Sequence, residues 1–230
     1  DLVRSRGLGD VYKRQPYKMQ REWLDRLPFD IYSVNVHTGA KRLIGRSYRT
    51  APKWSVNGKW AVMYDPIAQV WNKFDGATGK VVNISDAIGY PMFMESYDKP
   101  APAPAYGIAG WTADGNNVFL YDAYDWWKID LTGERQPECL TKGYGRKHGK
   151  SIRKMTSNID KDVFQKDEKV IVSLWDKDTM DEGVYQLDMK GRLRKLMEGN
   201  YVYTIHRFSD NHESVSYTHL RAHETVLDLV

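Results

Sequence analysis

Two eleven-residue stretches decide the fold: Trp54–Tyr64 reads WSVNGKWAVMY and Trp111–Tyr121 reads WTADGNNVFLY. Each begins with an aromatic and a polar residue, passes through Asn-Gly or Asp-Gly, and ends in an apolar run. The Asn-Gly and Asp-Gly pairs supply the positive φ angles of a tight hairpin turn. The runs after them are short and rich in β-branched and aromatic residues, which predicts buried strands.

The opening of this pattern is an aromatic residue, a polar residue, any residue and then Asn or Asp, and we take four copies of it as the starts of successive repeats. The copies are 57, 53 and 44 residues apart and begin at Trp54, Trp111, Phe164 and Phe208. The third copy leads into another apolar run, Val170–Trp175. Such repetition indicates a fold made of similar stacked units.

A second pattern alternates with the first: a strand that carries an aromatic residue and ends in a glycine turn. Its copies lead to Gly39, Gly79, Gly133 and Gly191. Each repeat thus holds about four strands joined by hairpins, the content of a propeller blade. The sequence predicts an all-β fold, a partial β-propeller with about three four-stranded blades and incomplete blades at both ends. A β-sandwich is the alternative, but it does not need the same signature in every repeat.

The repeats also predict where blades meet and what packs between them. We expect the boundaries near Gly45, Ser85, Thr141 and Gly199. A sheet with two apolar faces needs a neighbour on each side, and three side chains have the size to fill the wedge between blades: Trp54, Trp111 and Trp127. The proline-rich segment Lys99–Ala105 predicts a stiff, extended loop between blades.

Both ends of the chain differ from this interior. Residues 1–15 read DLVRSRGLGDVYKRQ and residues 215–230 read VSYTHLRAHETVLDLV. Both resemble peptides that arise when sequencing-adapter DNA is translated at the ends of assembled metagenomic fragments. We interpret both as non-native, with native disordered tails as the alternative, and assign residues 16–214 to the partial propeller. We expect a propeller cut at both ends to leave strands unpaired and to fold poorly or aggregate in isolation.

The composition is that of a globular domain. With 8 Trp and 15 Tyr, the chain suits pleated strands better than a helical bundle. A formal net charge of +4 is too small to predict a nucleic-acid or membrane partner, and no apolar run is long enough to predict a transmembrane helix. The one cysteine, Cys139, excludes an internal disulfide framework and is expected to be packed rather than reactive.

Three segments carry a likeness to a known family. Tyr106–Gly115 reads YGIAGWTADG, Tyr121–Asp130 reads YDAYDWWKID and Leu140–Lys147 reads LTKGYGRK. Together they resemble the propeller of prolyl oligopeptidase family serine peptidases, in particular the dipeptidyl-aminopeptidase-like group. The resemblance covers most of residues 16–214.

The resemblance implies a function for a longer parent protein. In that family a propeller precedes an α/β-hydrolase domain, caps its active site and restricts access to short peptides. The nucleophilic serine lies in a Gly-x-Ser-x-Gly turn, which this chain lacks, since Gly45–Arg49 has no second glycine. The resemblance thus implies a periplasmic or secreted exopeptidase with peptide substrates and a missing C-terminal hydrolase domain. We predict that the fragment alone is inactive and holds no catalytic residue, cofactor site or metal site. The sequence indicates no substrate-binding residue.

The basic segment Gly143–Ser151 superficially suggests a phosphate loop. Tyr144 stands where the Walker spacing requires glycine, so the match fails. The lysines and arginines from Lys142 to Lys154 would suit nucleic acid, but acidic residues follow closely, and the sequence favours a solvated loop between blades.

Two further sets of residues have a functional and a structural interpretation. The histidines share no metal-ligand spacing: His37, His148, His206 and His212. Asp181 and Glu182 are suited to anchor the amino terminus of a peptide, although paired carboxylates in a hairpin loop are more often only solvated.

Two functions of different classes therefore stay open. The first is a propeller that gates peptide access to a hydrolase domain. The alternative is a non-enzymatic propeller that binds a protein or glycan partner. A Gly-x-Ser-x-Gly motif in the reading frame after Ser214 would distinguish the first from the second.

Overall fold

The computed structural model describes residues 8–13, 27–155, 162–199, 201–208 and 215–221. These residues are almost entirely β-structure. They contain one single-turn helix, α1 (Tyr144–Lys147), and a 3-10 turn at Asp86–Ile88. The first strands are β1 (Leu8–Lys13), β2 (Phe29–Asn35), β3 (Lys41–Tyr48), β4 (Lys53–Trp54), β5 (Trp60–Asp65), β6 (Val70–Asp75) and β7 (Val81–Asn83).

The later strands continue the same succession. They are β8 (Ile108–Thr112), β9 (Asn117–Tyr121), β10 (Trp126–Asp130), β11 (Glu138–Cys139), β12 (Lys150–Lys154), β13 (Val163–Phe164), β14 (Lys169–Asp176), β15 (Glu182–Asp188), β16 (Leu193–Gly199), β17 (Tyr201–Phe208) and β18 (Val215–Arg221).

These strands form five sheets in which most neighbours along the chain are also neighbours in the sheet. The first sheet has the order β1-β2-β3, the second β4-β5-β6-β7, the third β11-β10-β9-β8-β13, the fourth β12-β14-β15-β16 and the fifth β17-β18. Four-stranded meanders of this kind are the blades of a propeller. The predicted fold class, an all-β partial β-propeller, is confirmed.

The chain divides into two compact units, and the third sheet contributes strands to both. The first unit comprises residues 1–107, 111–118 and 129–137, and the second comprises residues 108–110, 119–128 and 138–230. In the first unit, one core joins side chains of β2 and β3 to side chains of β5 and β6. Its buried members are Phe29, Ile31, Ile44, Tyr48, Ala61, Met63 and Phe74, with Trp54 packed against them.

The predicted hairpin turns of the first unit have one geometry. The hydroxyl of Ser55 donates to Asn57 Oδ1 at 2.8 Å and accepts a hydrogen bond from the backbone N–H of Trp60. The hydroxyl of Thr112 makes the equivalent bonds to Asp114 and Asn117. A polar residue two places before the Asn-Gly or Asp-Gly pair is therefore part of the turn.

The third copy of the aromatic pattern, at Phe164, follows the boundary expected near Thr141, yet it still belongs to the third sheet. Its strand, β13, is added to the edge of the third sheet beside β8. The reason is the space left by Gly110 in β8, since a Cβ there would lie 2.5 Å from Phe164 Cε2. The Phe164 ring fills this space and contacts Phe119 and Trp126, with ring centroids 5.7 and 6.2 Å away.

The fourth sheet begins instead with β12, in the basic segment that we expected to be a loop. Residues Lys150 to Lys154 pair with Asp176 to Val172 of β14. Two other expectations also need correction. Gly45 lies inside β3 rather than between blades, and the fully buried tryptophan is Trp126, whereas its neighbour Trp127 is half-buried.

Each end segment that we left out of the fold holds one strand. β1 pairs with β2 from Leu8 to Lys13, and β18 pairs with β17. The interpretation of residues 1–15 and 215–230 as non-native stays a prediction. In the fourth copy of the aromatic pattern, Phe208 ends β17 and the residues after it lie outside the described residues.

Four described hairpins close with a side-chain oxygen that accepts two backbone N–H groups and have a positive φ four places later. Asn35, Asp65, Asp75 and Asp176 each accept the N–H groups two and three residues later, at 2.8 to 3.2 Å. The positive φ is 71° at Gly39, 58° at Gln69, 75° at Gly79 and 62° at Met180. Met180 and Gln69 thus occupy the position where the other two hairpins have glycine.

This comparison predicts opposite effects for two substitutions. Met180→Gly should raise the free energy of unfolding by about 0.5–1 kcal/mol, because the left-handed conformation is costly for a residue with a Cβ. Gly39→Ala should lower the free energy of unfolding by about 1 kcal/mol for the same reason. A steric clash does not contribute to this loss, because no atom lies within 4 Å of the added Cβ. Urea denaturation of both variants measures these changes, and equal signs would contradict the prediction.

Candidate functional site

Two of the three segments that carry the family resemblance, Tyr121–Asp130 and Leu140–Lys147, meet at one end of the third sheet. The β9–β10 turn contains Asp122 and Asp125, and both carboxylates are almost completely buried. The segment from Thr141 to Lys147, which includes α1, lies against this turn in the second unit. We call these residues, together with Arg153 on β12, the carboxylate network.

Asp122 closes the β9–β10 turn and forms an ion pair with Arg146. Its Oδ1 accepts the backbone N–H groups of Tyr124 and Asp125, at 2.7 and 2.6 Å. Its Oδ2 accepts Trp127 Nε1 at 3.0 Å and Arg146 Nη2 at 2.9 Å. Each carboxylate oxygen of Asp122 accepts hydrogen bonds, and one of them also pairs with an arginine. These interactions replace the hydration that the carboxylate loses on burial.

Asp125 joins the same turn to α1. Its Oδ1 accepts the Thr141 hydroxyl at 2.6 Å and the Gly145 N–H at 2.9 Å, and its Oδ2 accepts the Arg146 N–H at 3.0 Å. Gly145 can approach this closely only without a side chain, since a Cβ would lie 2.6 Å from the carbonyl oxygen of Tyr124. The glycine between Tyr144 and Arg146 is therefore a packing requirement.

Arg153 completes the network from β12. Its Nη2 donates to the backbone oxygen of Asp122 at 2.7 Å, and its Nη1 donates to that of Ile152 at 2.8 Å. The guanidinium lies over the Tyr121 ring, 4.7 Å from the centroid. Arg146 likewise lies 5.1 Å from the centroid of Tyr124. Both arginines are thus held by hydrogen bonds and by aromatic faces.

The arrangement holds the β9–β10 turn and α1 in place. A general base or a metal ligand needs an available lone pair, and the oxygens of Asp122 and Asp125 are already occupied by donors of the chain. Within the described ranges, no three His, Cys, Asp or Glu side chains are grouped so that they could hold a metal ion. In the described part of the chain, no helix is long and apolar enough to span a membrane.

Three of the six cations between Lys142 and Lys154 have acidic partners within the second unit. Arg146 pairs with Asp122, Lys150 Nζ with Glu198 at 2.8 Å, and Lys154 Nζ with Asp162 at 2.9 Å. Acidic residues follow this segment in the sequence, but the sequence alone did not indicate which of them form these pairs. These three cations are engaged within the chain, whereas a nucleic-acid surface needs cations free to meet phosphates.

The other residues singled out in the sequence have structural surroundings. Glu182 is buried, and its Oε2 accepts the backbone N–H of Tyr203 at 2.8 Å, so it is not a solvated loop residue. Cys139 Sγ accepts the N–H of Gly143 at 3.2 Å, and burial raises the pKa of its thiol, which favours the unreactive form.

The four histidines are not brought together where the structure describes them. His37 is exposed, and the His148 ring stacks on Tyr144 with centroids 4.3 Å apart. Only the backbone of His206 is described, and His212 lies outside the described residues.

The first unit holds a second feature, a pocket of about 360 Å³ that the sequence did not predict. Its walls include Arg49, Tyr64, Tyr97, Lys99 and Pro104. The pocket lies between the β3–β4 connection, the β5–β6 turn and the proline-rich segment. The sequence correctly marked that segment as a connection between sheets but gave no sign that it folds back over Tyr64.

By its successive four-stranded sheets, the chain is a partial β-propeller. Neither a protein-family model nor a curated protein matches it. Among solved structures it is similar to the β-propeller domain of the trilobed protease from Pyrococcus furiosus, with 12% identity and a TM-score of 0.46 over 97% of this chain and 68% of that one.

Two further solved structures are similar at the same level. Acylaminoacyl peptidase from Pyrococcus horikoshii has 12% identity and a TM-score of 0.43 over 97% of this chain and 38% of its own. A putative TolB from Agrobacterium tumefaciens has 15% identity and a TM-score of 0.43 over 84% of this chain and 63% of its own. This chain spans less than two thirds of the length of either protein.

The network predicts a large difference between two aspartates in equivalent turns. Asp65 closes the β5–β6 turn with the same two backbone bonds as Asp122 but without a cation in the described residues. Asp122→Ala should lower the free energy of unfolding by about 3–5 kcal/mol, because it leaves Arg146 and Trp127 without their acceptor. Asp65→Ala should cost about 1 kcal/mol. Chemical denaturation measures both, and similar losses would contradict the assigned role of the network.

Glu198 predicts an acid-dependent loss of stability. Hydrogen bonds from Lys150 and Lys195 lower the pKa of Glu198 from 4.5 to about 2. Because the folded-state pKa is the lower one, the contribution is fully present above the unfolded pKa and is lost as the pH falls toward about 2.

Glu198→Gln should therefore weaken the fall of the thermal midpoint in this acidic range. Glu138→Gln is the control, since Glu138 is exposed and has no ion pair among the described residues. Thermal unfolding across the acidic range measures both variants, and identical pH profiles would show that the Glu198 pairs contribute nothing.

Proposed function

We propose that this chain is the propeller of a prolyl oligopeptidase family serine peptidase and that it limits access to a hydrolase domain elsewhere in the same polypeptide. The observation that carries the proposal is the carboxylate network. The segments Tyr121–Asp130 and Leu140–Lys147, which carry the resemblance in the sequence, are the segments that the network joins. The network needs residues from two segments that are distant in sequence. A resemblance that includes both segments therefore favours a shared fold over a chance match of one short motif.

The network also supports the role of scaffold over that of catalyst. Its carboxylates are buried and saturated with donors of the chain, so they hold the β9–β10 turn and α1 in one arrangement. The chain contains no Gly-x-Ser-x-Gly, so the nucleophile would come from the hydrolase domain. A gate that sorts peptides by size must resist opening, and loops tied by buried ion pairs meet that need better than solvated loops.

The proposal extends to substrate and location. Short peptides would be the substrates, and the parent protein would act in the periplasm or be secreted, as the family resemblance implies. The propeller would select peptides by length, while the hydrolase domain would perform acyl transfer.

The full reading frame and the protein it encodes test this function. We expect a Gly-x-Ser-x-Gly motif after the propeller, cleavage of tripeptides that a serine-directed phosphonate abolishes, and slow cleavage of peptides several times longer. A reading frame that stops, or an unrelated domain in place of the hydrolase, would refute the proposal and favour the binding module.

A variant of the network tests the gate separately from the chemistry. Arg146→Gln in the full-length enzyme removes the ion pair with Asp122 and should raise kcat/KM for long peptides several-fold relative to tripeptides. Arg146→Lys keeps the charge and is the matched control. An active enzyme whose length preference is the same in all three proteins would show that the network is not part of a gate.

A further inference from the structure

The pocket in the first unit has rigid walls. The hydroxyl of Tyr64 donates to the carbonyl oxygen of Ala103 at 3.0 Å, and this bond fixes the proline-rich segment over β5. The backbone N–H of Met94 donates to Pro104 at 2.8 Å, and Phe93 and Ala105 form an antiparallel bridge. Since proline also restricts φ, the segment has little freedom to collapse into the pocket.

Two cations face the pocket without a counter-charge. Neither Arg49 nor Lys99 has an ion pair in the described part of the chain, and the described residues that line the pocket include no carboxylate. The charge of Asp65 acts on Tyr64, but Asp65 does not line the pocket, and its Oδ1 accepts two backbone N–H groups. This contrasts with the second unit, where Arg146, Lys150 and Lys154 of the basic segment have acidic partners.

The remaining wall is apolar and aromatic. It is made by the rings of Tyr64 and Tyr97 and by Pro66, Pro102 and Pro104. Burial raises the pKa of Tyr64 to about 12, so its hydroxyl stays neutral and adds no negative charge. A ligand for these walls combines an anion with an apolar ring, because neither half alone would use both surfaces.

We propose that this pocket binds the free carboxyl end of a short peptide whose last side chain is an aromatic or proline ring. Arg49 presents a planar fork that matches a carboxylate, and Lys99 adds a second positive charge. The ring of the ligand packs against the tyrosine and proline rings. The inference goes beyond the proposed function and does not depend on it, since a propeller without a hydrolase domain would use the same pocket.

Calorimetric titration of the 230-residue chain tests the site with three kinds of probe. We expect N-acetyl-phenylalanine to bind and N-acetyl-phenylalaninamide, which lacks the charge, to bind at least about tenfold more weakly. Acetate and inorganic phosphate, which lack the ring, should also bind more weakly. Equal binding of the amide, tighter binding of phosphate, or no binding of N-acetyl-phenylalanine would each overturn the proposal.

Substitutions locate the binding. Arg49→Gln and Lys99→Gln should each weaken the binding of N-acetyl-phenylalanine by about tenfold. Lys80 is an exposed cation of the same unit that does not line the pocket, so Lys80→Gln should leave the affinity unchanged. Thermal unfolding shows whether each variant is folded, and NMR shifts of wild-type Tyr64 and Tyr97 on titration give a second measurement. An affinity that is the same in all variants, or shifts that leave both tyrosines unchanged, would place the ligand elsewhere and refute the site.

Discussion

The burial of two carboxylates is the strictest constraint in the described part of the chain. A charge removed from water needs a donor on each oxygen, and a missing donor costs more than the interaction adds. Asp122 and Asp125 obtain theirs from the β9–β10 turn, the Thr141 hydroxyl and α1. The turn and the connection into β12 can therefore form only together, which couples the third sheet to the fourth inside the second unit.

Much of the fold was predictable because its signals are local. The Asn-Gly and Asp-Gly turns and the apolar runs specify hairpins within about a dozen residues, and their repetition predicts the four-stranded sheets. The errors involve contacts between distant residues. The placement of β13 depends on the space beside Gly110, 54 residues before Phe164. The sequence analysis named Trp127 where the structure buries Trp126, an error of one residue in register. The alternation of apolar and polar residues cannot resolve such an error when both residues are tryptophan.

The candidate sites were less predictable than the fold. Arg146 reaches Asp122 across 24 residues, and Tyr64 reaches Ala103 across 39, so neither contact has a local signature. One signal was present but not recognised: Asp65, Asp122 and Asp176 each follow a buried strand and accept the N–H groups two and three residues later. An aspartate at that point in successive repeats predicts a closed turn, whereas the contact of Asp122 with Arg146 is visible only in the structure.

The two units show why a count of charges does not indicate function. The basic segment of the second unit stands out in the sequence, yet Arg146, Lys150 and Lys154 are bound to acidic partners. Arg49 and Lys99 are 50 residues apart and unremarkable in the sequence, but they face one pocket without a carboxylate on its walls. A cation that forms an ion pair within the chain gains little from a further anion. A cation on a rigid, partly apolar wall contributes most binding free energy to an anion that carries its own apolar group. Ligand binding is therefore to be expected where the fold leaves charge uncompensated, as at the pocket that the proline-rich segment lines in the described part of the chain.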